Sequence, residues 1–560
     1  MTRVILLLLV AGLGAAWFFA LPAPMPALET AAAAERRELR GAIHVHTSRS
    51  DGTGTPEEVA AAAARAGLDF IVFTDHGDGT REPDPPQYRD GVLSIDAVEI
   101  STHDGHVVAI GLPQAPYPLA GEARDVVEDV ARLGGFSIAA HPVSTKPDLD
   151  WRDWDVPIDG LEWLNGDTEW RDESGWTLAR AFLTYPARPV ETLASLLDRP
   201  AATLQRWDAA ARERRVVAIV GSDAHARIGP QGGPYESLVS LPMPGYERMF
   251  RLFSTVIPEA ALAGDPAADA RAVLGAIRAG RVYSRIDAIG DGALAFTAAT
   301  ATGRVGPGET GVPVGAALRA DVEGPVDARI DLFRDGAMVA TGAGASLEYA
   351  ADGAGVYRVE VSRPGAPGDP AVPWIVSNPI YVGRSPAPRP SGPARRAPSS
   401  VMPRYTNGPA EGWTIATSAG SEAALDVVRG AHGTELALRY AIGGAASSSP
   451  FAALTVSAGP NLARADRLLF TARADRPMRL SVQVREPAGQ DGYRWQRSVY
   501  LDTVPREIAV YFDDMRPAGE TPRALPSLAD VDSVMFVIDT INTPLGGSGR
   551  VWIDDVRYAR

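Results

Sequence analysis

Hydrophobic and polar positions change their period along this 560-residue chain. From residue 41 to about 290, short apolar runs alternate with amphipathic segments, which predicts repeated βα units around a parallel sheet or barrel. Thr55, Pro56 and Glu58 offer an N-cap, a first-turn proline and a capping-box partner to an alanine-rich helix ending at Gly67. The run Phe70 to Phe73 then reads as a strand. Helices around Glu122 to Leu133 and Leu204 to Arg215 lead into the apolar runs FSIAA and VVAIV.

Beyond residue 290 the helical period vanishes. Residues 291–383 alternate in runs such as LRADV and VYRVEVSR, predicting a small antiparallel β-sandwich. Residues 384–403 are proline-rich and form an expected extended linker. Residues 404–560 alternate again, in RLSVQVRE, VMFVIDT and RVWIDDVRY, and predict a longer jelly-roll sandwich resembling galactose-binding-like carbohydrate modules. Residues 1–40 hold Arg3, an apolar run from Val4 to Leu21 and a Pro/Ala-rich spacer. They read as an export signal or a membrane anchor, which places the remainder in the periplasm or outside the cell.

Composition narrows the chemistry. A formal net charge of −15 argues against nucleic acid as a partner, because phosphate backbones are held by clustered cations. Cysteine is absent, so disulfides, thiolate zinc sites and cysteine nucleophiles are excluded, and any metal must be held by nitrogen and oxygen.

Seven of the eight histidines lie between residues 44 and 225, mostly at the ends of predicted strands. With the nearby acids they give nine candidate ligands: His44, His46, Asp51, His76, Glu99, His106, His141, Asp223 and His225. That is too many for one ion. Alternation along a strand puts His44 and His46 of HVH on one side. Candidates arrive at the C-terminal ends of strands, where α/β barrels carry their sites. In STHDGHVVAIG a hairpin is expected at Asp104-Gly105, with His103 at the turn. Asp75 is expected to anchor a loop, and Lys146 and Arg227 are candidates for holding a substrate anion. Asn165 stands at the end of a predicted strand. The tryptophans Trp151, Trp154, Trp163, Trp170 and Trp176 read as core or lid packing, and Trp413, Tyr493 and Trp495 as core or as faces for a sugar.

The motifs HVHTSRSDG, TDH, AHP and GSDAH, in this order, resemble those of the polymerase and histidinol phosphatase superfamily of metal-dependent phosphoesterases. The resemblance spans residues 41–290. It implies a distorted seven-stranded β/α barrel, here followed by two all-β sandwich domains, with two or three divalent ions of zinc, manganese or iron. It also implies one metal on His44, His46, Glu99 and Asp223. Glu99 would bridge to a second metal on His106 and His141, and a third would lie among Asp51, His76 and His225. The implied activity is hydrolysis of a small phosphomonoester or phosphodiester by a metal-activated water, with Asp223 and His225 moving protons. Two other readings stay open: hydrolysis of an amide or lactone in the same site, and a glycan-binding scaffold without catalysis.

Overall fold

The computed structural model describes residues 5, 12, 14–15, 17–24, 37–227, 243–324, 327–386, 397–430, 433–444, 449–488 and 492–560. Half of the run from Val4 to Leu21, and residues 387–396 of the expected linker, lie outside them. Among the described residues no helix is long and apolar enough to cross a membrane. The protein is multidomain and mostly β, in two compact units: residues 1–113 with 122–390, and residues 114–121 with 391–560.

The first unit opens with β1 (Glu38–Val45), α1 (Pro56–Ala66), β2 (Phe70–Phe73), β3 (Gln87–Arg89), β4 (Val92–Asp96), β5 (Val98–Thr102) and β6 (Gly105–Ile110). It continues with α2 (Ala123–Arg132), β7 (Phe136–Ala140), β8 (Gly160–Asn165), α3 (Gly175–Thr184), α4 (Pro189–Ala194), α5 (Ala201–Glu213) and β9 (Val217–Gly221). After these come α6 (Tyr246–Phe250), β10 (Ser254–Pro258), α7 (Pro266–Ala279) and β11 (Tyr283–Arg285). The capping box of α1 is formed, with Thr55 and Glu58 bonding each other's backbone N–H, and Gly67 closes the helix at a φ of 76°.

Hydrogen bonding does not join these strands into the single seven-stranded ring that was expected. They divide into an eleven-stranded sheet containing β3-β4-β2-β1-β10-β11 and a five-stranded sheet β5-β6-β7-β8-β9. The division has two local causes. Along β1 the register slips between Ile43 and Val45, with His44 at a φ of 67°, and the contact with β9 shrinks to Ser222 N–H on Ile43 O and His46 N–H on Ala224 O. Between β2 and β5 the ladder is reduced to an isolated bridge, His76 to Glu99, with Ala97 N–H on Phe73 O beside it. Side chains still pack across the division. Ile43, Val72, Ile95, Ile138 and Ile219 from both sheets share one apolar core with Val273 and Ile277 of α7.

Residues 291–383 do not stand apart from this sheet. Their strand Ile375–Ser377 pairs with β11, then with Gly355–Ser362, Arg329–Arg334 and Ala337–Ala343, so the eleven-stranded sheet runs through both regions. A buried ion network ties the same regions together. Arg358 donates from Nε and Nη2 to both oxygens of Asp208 on α5, at 2.7 and 2.8 Å, and from Nη1 to Glu360 at 2.6 Å. Arg199 adds a further bond to Glu360 at 2.8 Å.

The second unit is a sandwich of two six-stranded antiparallel sheets. Trp413, Phe470, Val482, Trp495 and Phe536 sit in its core, so these two tryptophans present no face to a sugar, while Tyr493 is 38% exposed. In the first unit Trp151 and Trp163 are buried in the core and Trp176 is exposed.

Candidate metal centre

All nine candidate ligands converge at one end of the strands of the first unit. His44 closes β1 and His46 follows it, while His76, His141 and Asp223 follow β2, β7 and β9. Glu99 lies in β5, and His106 lies at the start of β6, which runs antiparallel to β5 and β7. A reversed strand brings its beginning to the end where its neighbours finish, which is how His106 joins the others. Their ligand atoms fall into four overlapping groups: His46, Asp51, His76 and His225; His44, Glu99 and His141; His44, His46 and Asp223; His76, Glu99 and His106. His76 belongs to two groups because its Nδ1 faces Glu99 at 3.3 Å and its Nε2 faces Asp51 at 3.8 Å.

Glu99 is the hub, and it is 1% exposed. Its Oε1 faces His106 Nδ1 at 2.8 Å and His141 Nε2 at 3.1 Å. Its Oε2 faces His44 Nε2 at 3.2 Å, His46 Nε2 at 3.1 Å and His76 Nδ1. Asp223 Oδ1 stands 3.4 Å from Nε2 of both His44 and His46. The two oxygens of one carboxylate therefore serve different sets of imidazoles.

Backbone conformation and outer contacts fix these rings. His44, His141 and Asp223 have φ of 67°, 33° and 46°, a region that side chains other than glycine enter at a cost of about 1–3 kcal/mol. His44 and His46 thus reach the same carboxylates through a bulge and a left-handed residue, where simple strand alternation was expected. Three outer contacts select tautomers. His44 Nδ1 is 2.6 Å from the buried Glu162, His141 Nδ1 donates to Leu149 O at 3.0 Å, and His225 Nδ1 donates to Asp223 O at 3.0 Å. Each leaves Nε2 turned into the cluster.

Glu162 has no signature of its own in the sequence. Besides His44 it receives His141 N–H at 2.8 Å and Asn165 Nδ2–H at 2.7 Å, so Asn165 acts through Glu162. The signal that could have found it is Gly221 of GSDAH, where a Cβ would lie 2.1 Å from Glu162 Oε1. Asp75 accepts from Thr47 N–H and Oγ1–H, both at 2.7 Å, and from Ser50 Oγ–H at 2.7 Å, which anchors the HVHTSRSDG loop. His103 is exposed at the hairpin turn and pairs with Glu122, away from the cluster. Lys146 lies half-buried in the loop after β7, where its backbone N–H meets Ser144. Arg227 borders a cavity beside His225.

Carboxylates and imidazoles act strongly on one another in this cluster. Burial would raise Glu99 and Asp223, but the facing imidazoles hold both well below the usual carboxylate range. Burial would likewise lower His46, yet Asp223 and Glu99 push it up to about 10. Nε2 of His44 and of His46 is buried without a hydrogen-bond partner. Imidazole lone pairs and carboxylate oxygens aimed at common points are what a divalent ion takes as ligands, so the donor set fits such ions.

No family model matches the chain. A curated relative, a 3',5'-nucleoside bisphosphate phosphatase of Chromobacterium violaceum, is 32% identical over 107 residues, 18% of this chain and 38% of that protein. The chain thus spans well under half the length of the curated relative it matches. Among solved structures, a family 11 carbohydrate-binding module of a Clostridium thermocellum cellulase shares 15% identity over 28% of this chain and 94% of its own, with a TM-score of 0.24. A family 30 module from the same organism shares 10% identity over 28% and 96%, with a TM-score of 0.22.

Proposed function

We propose that this protein is an exported phosphoesterase of the polymerase and histidinol phosphatase type, hydrolysing a small phosphomonoester or phosphodiester with two or three divalent ions, zinc, manganese or iron. On this reading the strands that meet at His44 and at Glu99 are the seams of the distorted seven-stranded barrel. The observation that carries the proposal is the division of labour at Glu99, whose two oxygens face separate histidine sets as a carboxylate between two ions must. His44, His46 and Asp223 would hold one ion, His106 and His141 another, and Asp51, His76 and His225 a third. Bound ions supply Lewis acidity, which lowers the pKa of water and offsets charge on the ester oxygens.

The protein's own groups do the rest. Glu162 orients His44, Asp75 fixes the loop that carries His46 and Asp51, and Asp223 with His225 is placed to move protons. His225 stacks on His46 at 4.2 Å and 10°, so its ring is held while its edge remains partly accessible. Arg227 and Lys146 are assigned to the substrate anion. The C-terminal sandwich is assigned a glycan contact, with Tyr493 as its exposed aromatic.

The test is metal analysis of the purified protein together with turnover of aryl phosphates, bis-aryl phosphates and matched amide and lactone substrates. Stoichiometric divalent metal and phosphate ester turnover that falls at least about 10³-fold in His44→Ala are expected, the several kcal/mol that metal ions supply. Turnover confined to amides or lactones would sink the phosphoester assignment.

A further inference from the structure

A cavity of about 220 Å³ opens directly beside the metal centre and shares Asp223, Ala224 and His225 with it. Its far wall is apolar, built by Leu178 and Phe182 of α3, Leu193 of α4, Leu196, Met249 of α6 and Leu252. Its polar groups are few: Arg227 and Tyr185, whose hydroxyl is buried without a hydrogen-bond partner, join two further acids in the lining. Asp167 accepts from Arg171 Nε at 2.7 Å and from Trp170 Nε1 at 3.0 Å. Glu169 is buried, and burial, with Asp198 nearby, pushes its carboxyl well above the usual range. The mouth is apolar too. Phe182, which lines the cavity, is 57% exposed, and the neighbouring Leu183 is 62% exposed.

A cavity lined in this way repels the water and sugar hydroxyls that a hydrophilic phosphate ester would bring. Cavities of about 150 Å³ lined by Leu, Ile and Phe stay dry and bind benzene, so this one has room for a larger group. Resting on the metal-centre reading above, we infer that the substrate is amphiphilic: its scissile group lies at the metal centre, and an alkyl chain or aryl ring fills the cavity between α3 and α4. The occupant is the substrate's own apolar group, because the cavity has no separation from the residues that would meet its head.

The test separates the cavity from the bond that is cleaved. Acetohydroxamate and octanohydroxamate chelate metal through the same head and differ only in their tails, so calorimetric titration of the metal-loaded protein with both reads the cavity without turnover. Octanohydroxamate should bind at least about tenfold tighter, well short of what roughly fourfold for each buried methylene would give over its whole tail. Ala181→Trp, which fills the cavity from α3, should abolish the difference and leave acetohydroxamate binding within about twofold. Leu178→Ala, which enlarges it, should move the optimum to a longer chain and keeps the test informative if Ala181→Trp fails to fold. Alkyl phosphates from methyl to octyl form the second arm, with kcat/KM expected to rise with chain length. Equal binding of the two hydroxamates overturns the cavity assignment even if phosphate esters turn over. A clear preference for the long tail, with no phosphate ester turned over, upholds the cavity and overturns the phosphoester reading. Failure of both arms removes both.

Discussion

Two buried polar clusters in the first unit are put together in opposite ways. Around Arg358, every charge meets a complementary one. The guanidinium fork covers both oxygens of Asp208 and one of Glu360, and Trp207 and Phe333 lie 5.1 and 4.7 Å from its centre. Around Glu99, five imidazoles crowd the two oxygens of one carboxylate. Two imidazole Nε2 atoms have no hydrogen-bond partner, and three of the backbone positions are left-handed. The first cluster is fully paired within the protein; the second leaves two imidazole nitrogens without a hydrogen-bond partner and suits the ions proposed above. Buried polarity alone does not mark a site. What marks it is polarity that the surrounding chain leaves incompletely paired while spending strain to hold it in place.

The contrast can be broken experimentally, beginning with its largest consequence. The loss of at least about 10³-fold in turnover expected for His44→Ala should come with a smaller change in the urea stability of the metal-stripped protein than any change at Arg358 produces. Arg358→Ala should do the reverse. It leaves Asp208 buried and unpaired and Glu360 with Arg199 alone, so urea unfolding of the first unit should shift by about 3–5 kcal/mol, with metal content unchanged in the protein that remains folded. A stable Arg358→Ala protein would remove the distinction between the clusters.

A smaller effect sharpens it. Glu162→Gln keeps the shape but weakens the acceptor for His44 Nδ1, and metal affinity measured against a competing chelator should fall by about 10–100-fold. Unchanged affinity would make Glu162 a packing residue. The smallest effect concerns pH. Burial would raise Glu360, but Arg358 and Arg199 hold it below the ordinary glutamate value. A carboxylate whose folded value is depressed stabilises the fold above its unfolded value, and loses that contribution as pH falls through the folded value. The gap in urea stability between the native protein and Glu360→Gln should therefore be full at about pH 7 and shrink by about pH 3.5. A gap that grows in acid would contradict the ion network.

Much of the metal centre is legible in residue types and their order alone. Histidines and acids at the ends of apolar runs are conspicuous because β-strands deliver their last residues to a common edge. The hairpin turns at His103-Asp104, one residue earlier than the expected Asp104-Gly105, and separates His106 from His103 for a similarly local reason. Glu162 stays hidden because its function depends on Gly221, far along the chain, and one acid within an apolar strand carries no sign of its partner. The route by which His44 and His46 converge is also illegible, since a bulge is invisible to a period of two. Partner choice among strands is the least legible feature. Alternation in residues 291–383 predicts strands, but nothing in it indicates that Ile375–Ser377 adds to β11.

That pairing has a practical consequence. Cutting the chain near residue 290, where its composition changes, would strip β11 of its neighbour and leave a row of unpaired backbone groups ready to recruit other chains. It would also orphan Asp208. The smallest excisable portion carrying the histidine cluster therefore extends to about residue 386, with the strands after 290 serving as the cover that its sheet edge would otherwise lack.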